Sequence, residues 1–139
     1  MRKPLEGKEH GANAPAVLVI DDSAVARRAM VELLTQSGIK VVSLESPIGA
    51  TREVMRSNVD VVVIDLMMPG LRGDRLAALF RENSRFAKLG LILVSGGSEE
   101  ELSQLSLEKC IDAIVAKSRI HELPAAIQRV RRLTVGRGR

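Results

Sequence analysis

Short apolar runs alternate with stretches of helical spacing along most of the chain. AVLVI (16–20) reads as a strand. In AVARRAMVELLTQSG (24–38), Ala26, Ala29, Met30, Leu33 and Leu34 recur at the intervals of one helix face, and Gly38 is placed to end the helix. KVVSL (40–44) reads as a second strand, and Pro47 opens a short helix carrying Ala50 and Val54 to about residue 57. VVVI (61–64) is a third strand, followed by GDRLAALFREN (73–83), an amphipathic helix with Leu76, Leu79 and Phe80. LGLILV (89–94) is a fourth strand. SEEELSQLSLEK (98–109) starts with a capping box, Ser98 with Glu101. IDAIVA (111–116) is a fifth strand. HELPAAIQRVRRL (121–133) sets Leu123, Ala126, Ile127, Val130 and Leu133 on one face, with Pro124 tolerable in a first turn.

The order is strand–helix repeated five times. The first, third and fourth strands are near-continuous apolar runs, as expected of strands covered on both faces. Short connections and right-handed crossovers then give an α/β fold, a doubly wound (βα)5 unit with a five-stranded parallel sheet between two helix layers. Residues 1–15 are polar, with Gly7, Gly11, Pro4 and Pro15, and are expected to form a disordered lead-in. The domain is expected over 16–133, with 134–139 as a basic tail.

Composition adds little that changes this picture. The 139 residues are the size of one domain, and 45% are hydrophobic, enough for a core. With two Phe and no Trp or Tyr, that core is aliphatic. Cys110 stands alone, so no disulfide framework is possible. No N-terminal run suits a signal peptide and no segment is long enough to span a membrane, so a reduced cytoplasmic protein is expected. A small buried thiol is the expected role for Cys110. The net charge is +4, with Arg129, Arg131, Arg132, Arg137 and Arg139 crowded at the C-terminus. These arginines suit the end of a helix. Without interleaved aromatics for base stacking, nucleic acid is not the expected partner.

Chemistry enters where the apolar runs stop. In a parallel sheet every strand's C-terminal end lies on one edge, and ligands bind there. The first strand runs into Asp21 and Asp22, the third into Asp65, the fourth into Ser95 and the fifth into Lys117. Singly, each has a bland explanation. Asp22 or Ser23 suits an N-cap, Asp65 a turn, Ser95 a loop start, and Lys117 simple solvation. Together they put three carboxylates, a hydroxyl and an ammonium on one rim. Crowded acids repel, and an all-oxygen carboxylate set suits Mg²⁺. With the metal, Asp65 is a possible nucleophile, Lys117 a second positive charge and Ser95 a donor to a phosphoryl oxygen, which are the parts phosphoryl transfer requires.

These motifs resemble the receiver domains of bacterial two-component response regulators. VLVIDDS, VVVIDLMMPG, LILVSGG and AIVAKS carry the resemblance, which covers roughly 16–133. Ser95 follows Asp65 by 30 residues and Lys117 follows Ser95 by 22. The resemblance implies the flavodoxin-like strand order 2-1-3-4-5. It also implies phosphorylation of Asp65 by a histidine kinase or phosphotransfer protein. Asp22 is implied to ligate Mg²⁺ directly, Asp21 through water, and Met67 through its backbone carbonyl. Asp65 is then expected at a rigid strand end with its carboxylate facing solvent and metal, while Pro69 and Gly70 turn the chain away.

The chain departs from the family pattern in three ways. Ser118 replaces the proline that usually follows the lysine after a cis peptide bond, so either a trans bond with an altered loop or a cis bond held by packing is expected. Ile114 replaces the switch aromatic. Gly96 and Gly97 make the loop after Ser95 freer. The expected function is a phosphoacceptor switch whose surface of helix 4, strand 5 and helix 5 binds a downstream protein or a second copy. A pseudo-receiver that binds partners without phosphorylation is the alternative. A phosphohydrolase is disfavoured because the position two residues after Asp65 is Met67, which cannot donate a proton. Slow autodephosphorylation without turnover of outside substrates is therefore expected.

Overall fold

The computed structural model describes residues 14–105 and 110–135. Five strands alternate with five helices: β1 (Ala16–Ile20), α1 (Ala24–Gln36), β2 (Val41–Leu44), α2 (Ala50–Arg56), β3 (Val59–Asp65), α3 (Gly73–Glu82), β4 (Gly90–Ser95), α4 (Glu99–Leu105), β5 (Ala113–Ala116) and α5 (Leu123–Val135). The sheet order is β2-β1-β3-β4-β5 and every pair is parallel. This is the doubly wound arrangement the alternating pattern implies.

Strand residues alternate between two cores. Leu18, Ile20, Val62, Ile64, Leu91 and Leu93 pack with Val54, Leu76, Ala77 and Phe80 on the side of α2 and α3. Val17, Val19, Val61, Val63, Ile92 and Val94 pack with Met30, Leu34, Ile127 and Val130 on the side of α1 and α5. Burial on both faces explains why these strands show no polar alternation. Phe80 and Phe86 meet edge to face, their centroids 5.6 Å apart.

Several boundaries and faces differ from the expected ones. Ala29 is exposed, and Met30 and Leu34 are the buried positions of α1. Leu79 is exposed while Ala77 is buried. In α5, Leu133 is exposed and Thr134 buried. The reason is angular: at about 100° per residue, Leu133 sits about 80° from the line through Leu123 and Val130, whereas Thr134 falls close to it. The helix therefore runs to Val135, past the expected start of the tail. Pro47 precedes α2 rather than opening it. Its carbonyl accepts the Ala50 N–H, and Gly49 takes φ +83° at the cap. The Ser98 hydroxyl accepts the Glu101 N–H at 3.3 Å, one half of the expected capping box, while 106–109 of the expected helix lie outside the described residues. The expected lead-in lies outside them as far as residue 13, as do Arg137 and Arg139.

Two ion pairs hold the edge of the sheet away from the rim chemistry. Arg131 binds Asp60 with both nitrogens, at 2.8 and 3.0 Å, so one of the C-terminal arginines is structural. Arg81 donates to the carbonyls of Phe86, Ala87, Leu89 and Cys110 and pairs with Asp112 at 3.2 Å, and Asp112 also accepts the Leu91 N–H. Cys110 is half-buried beside this junction rather than enclosed in the core. Arg81→Ala removes a donor that these carbonyls share and an ion pair from Asp112. It is expected to lower the unfolding free energy by about 2–3 kcal/mol, read by urea denaturation. A change under about 0.5 kcal/mol, the size of an ordinary surface substitution, would contradict this role.

Candidate functional site

Strand register builds the site. Ile20 lies beside Ile64, so the next residues, Asp21 and Asp65, emerge as neighbours. Asp65 lies beside Val94, which brings Ser95 one step further along, and Ser95 lies beside Ala116, so Lys117 follows at the same rim. Asp21, Asp22 and Asp65 each offer a carboxylate oxygen within 4.8 Å of the others. Asp21 is fully buried, Asp65 is 3% exposed, and Asp22 faces solvent. The acceptor candidate is thus recessed, correcting the expectation of a solvent-facing carboxylate.

Each acid is held differently. Asp21 Oδ1 accepts the Ser23 N–H at 2.9 Å, and its carbonyl accepts Arg27 Nη1 at 2.7 Å. Asp21 Oδ2 is buried without a hydrogen bond; Lys117 Nζ stands 3.6 Å away. Ser23 is the N-cap of α1, its hydroxyl accepting the Ala26 N–H, which leaves Asp22 clear of that duty. Asp65 Oδ1 is 3.2 Å from Lys117 Nζ. An orphaned buried carboxylate oxygen beside two further acids fits a hard divalent cation with oxygen ligands.

Burial, and then the charge of Asp21, push the Asp65 carboxyl above its ordinary value, outweighing Lys117 and the Met67 N–H. For Lys117, burial works against the charge. The acids overcome it, Asp21 first and then Asp65, and the ammonium is held above its ordinary value. The folded state therefore binds a proton on Asp65 more tightly than the unfolded chain does. Stability falls as pH rises from the ordinary carboxylate range through the raised value, and the full cost is present above it. Asp65→Asn is expected to melt higher than wild type at pH 7 in chelator, the gain shrinking as pH falls through the carboxylate range. A wild type at least as stable as Asp65→Asn at pH 7 in chelator would contradict this.

Ser95 is buried, and its Oγ accepts the Gly97 N–H at 3.0 Å, leaving its own proton to donate. The Lys117–Ser118 bond is trans, since no cis peptide occurs among the described residues. The strand ends at Ala116 and the chain enters a 3-10 turn over Lys117–Glu122. Lys117 reaches Asp65 without the proline because the β4–β5 register already places it. Its stem borders an apolar cavity of about 110 Å³ lined by Ala26, Ala29, Met30, Val94 and Ile120. Ile114 is half-buried against the core on the α2 and α3 side. The Met67 side chain points to solvent, 3.9 Å from Arg72, and Met68 packs in the core. Gly70 takes φ +83° in the turn after Pro69.

Two supports had no signal in the local pattern. Arg27 lies six residues after Asp21, in the first turn of α1, and donates to the Asp21 carbonyl. Gly73 opens α3 against the end of β3: a Cβ there would overlap the Asp65 carbonyl oxygen and lie 2.9 Å from Ile64 Cγ2.

The model of the family described as response regulator receiver domain matches residues 17–128. Among curated proteins, the chain is 31% identical over 87 residues to protein PilG of Pseudomonas aeruginosa, covering 63% of this chain and 64% of PilG. It is 38% identical over 69 residues to a protein-glutamate methylesterase/protein-glutamine glutaminase of Anaeromyxobacter dehalogenans, covering 47% of this chain and 20% of that protein. The chain thus spans less than two thirds of the length of these relatives. A receiver domain protein from Clostridium thermocellum superposes with a TM-score of 0.75 at 21% identity, covering 87% of this chain and 97% of that one, a likeness of fold alone. The response regulator TrrA from Thermotoga maritima, solved in complex with Mg(2+)-BeF, superposes with a TM-score of 0.71 at 26% identity, covering 84% of this chain and 98% of that one. Among the described residues no helix is long and apolar enough to cross a membrane. With the family model matched over nearly all of the β1–α5 unit, the chain belongs to the response regulator receiver domains of two-component signalling.

Proposed function

We propose that this chain is a phosphoacceptor switch in which Asp65 takes a phosphoryl group from the phosphohistidine of a kinase or phosphotransfer protein. The observation that carries it is the pairing of Lys117 with a recessed Asp65 beside the orphaned Asp21 oxygen. An Asp65 carboxylate oxygen attacks phosphorus, the P–N bond breaks, and its electron pair stays on the donor imidazole. Asp21, Asp22, Asp65 and the Met67 carbonyl would hold Mg²⁺, a reading supported by the magnesium complex of TrrA. Bound there, the cation would cancel charge on the carboxylates and the incoming group. Lys117 would neutralise a phosphoryl oxygen, and the Ser95 proton would hydrogen-bond another.

Met67 brings no acid to the site, so the phospho-form decays slowly and no outside substrate is turned over. The chain is on this account not an enzyme. Phosphorylation would reposition Ser95 and reshape the surface of α4, β5 and α5, which binds a downstream protein or a second copy. A domain that takes its phosphoryl group from a kinase or phosphotransfer protein of this kind would work in the cytoplasm. Ile114 in place of an aromatic favours the second reading, a partner-binding module that needs no phosphorylation. Intact mass after incubation with acetyl phosphate separates the two. A phosphoryl-sized gain that requires both Mg²⁺ and Asp65 supports the switch, and its absence in folded protein supports the module.

A further inference from the structure

Gly97 has no side chain, yet its side-chain position is filled. A Cβ built there would overlap Oε2 of Glu101 and stand 3.2 Å from Ser95 Oγ. The Glu101 carboxylate, on a residue whose backbone N–H meets the Ser98 hydroxyl, thus lies over the loop between β4 and α4 and shares the Gly97 side-chain position with the Ser95 hydroxyl as a neighbour. The same loop runs along Lys117 on its other side: a Cβ at Gly96 would stand 3.8 Å from Lys117 Cδ. Lys117 itself is engaged with Asp65 and Asp21. Among the described residues no cation is within ion-pair distance of Glu101.

We propose that Glu101 is a positioning residue that gates the phosphoryl site by charge, closing the Gly96–Gly97 loop over Ser95 while Asp65 is unmodified and opposing the arrival of a phosphoryl anion there. The inference rests on the phosphoacceptor function proposed above. A phosphoryl group on Asp65 brings negative charge to the oxygen position that Ser95 serves, next to a carboxylate already in place. Like charges this close repel, and the weakest-held partner yields. Glu101 sits on an exposed first turn of α4, and among the described residues no cation holds it, so it is the group that moves. Its departure frees the two glycines and carries the first turn of α4 with it. In a chain with Ile114 where a ring would swing, this is a route by which the modification reaches the α4 surface.

The test compares acceptance from acetyl phosphate, at saturating Mg²⁺, for wild type, Glu101→Gln and Gly97→Ala, by intact mass against time. Glu101→Gln keeps the size and removes the charge, and Gly97→Ala expels the carboxylate by occupying its place. Both are expected to accept about threefold faster than wild type at low ionic strength. The difference is expected to close in about 0.5 M KCl, where screening acts within about 4 Å. A change in loop packing alone would not produce this convergence with salt. Glu101→Asp, which retains the charge, is expected to keep the wild-type salt dependence. Variants matching wild type at every ionic strength would overturn the gate and leave the phosphoacceptor function standing. No mass gain in any of the proteins would remove both.

Discussion

Lys117→Met is expected to slow phosphoryl acceptance by Asp65 about 100-fold or more, the scale set by losing one preorganised charge at a developing anion. The ammonium lies 3.2 Å from Asp65 Oδ1 and 3.6 Å from Asp21 Oδ2. Met keeps the aliphatic stem beside the apolar cavity and deletes only the charge. Mg²⁺ affinity is expected to rise in the same variant, because two carboxylates lose the cation that competes for them. The pairing of these opposite signs is the useful feature. Simple disruption of the site would lower both quantities. Time courses of intact mass give the rate, and Mg²⁺-dependent melting gives the affinity. Acceptance at the wild-type rate would remove Lys117 from the chemistry.

Gly73→Ala is expected to destabilise the fold by about 2–3 kcal/mol and to slow acceptance as well. In an open helix this change would stabilise by roughly 0.5–1 kcal/mol. Here the added methyl meets the Asp65 carbonyl oxygen, Asp65 C at 3.0 Å and Ile64 Cγ2 at 2.9 Å. Two of the three neighbours are backbone, which cannot rotate away. The Gly73 N–H also bonds the Leu66 carbonyl at 2.8 Å, so α3 cannot slide off without losing that bond. Either α3 or the end of β3 must shift, and the latter carries Asp65, the proposed acceptor. Urea denaturation reads the first effect and intact mass the second. A variant of equal or greater stability would contradict this close approach of α3 to β3.

The rim was legible because it depends on a rule about whole strands. Where each parallel strand stops, its next residue meets the others, so Asp21, Asp65, Ser95 and Lys117 could be grouped from their places after apolar runs. Register then supplied what the missing proline left open, since Ser95 opposite Ala116 brings Lys117 to the rim with a trans bond. Faces of helices were less legible. Leu133 and Leu79 are apolar but point off the packing line, and Thr134 is buried because of its angle rather than its character. The recess of Asp65 arises from loops meeting across the sheet edge. So does the Arg81–Asp112 junction, which spans 31 residues of sequence. No local pattern of polar and apolar residues records such meetings.

On the proposed function Asp65 is the acceptor and its neighbours would hold the metal the transfer needs. Intact-protein mass after incubation with acetyl phosphate, with and without Mg²⁺, for wild type and Asp65→Asn tests it most directly. The account predicts a phosphoryl-sized gain in wild type only, lost when Mg²⁺ is chelated. A gain that persists in Asp65→Asn, or none in folded wild type with Mg²⁺ present, would contradict it.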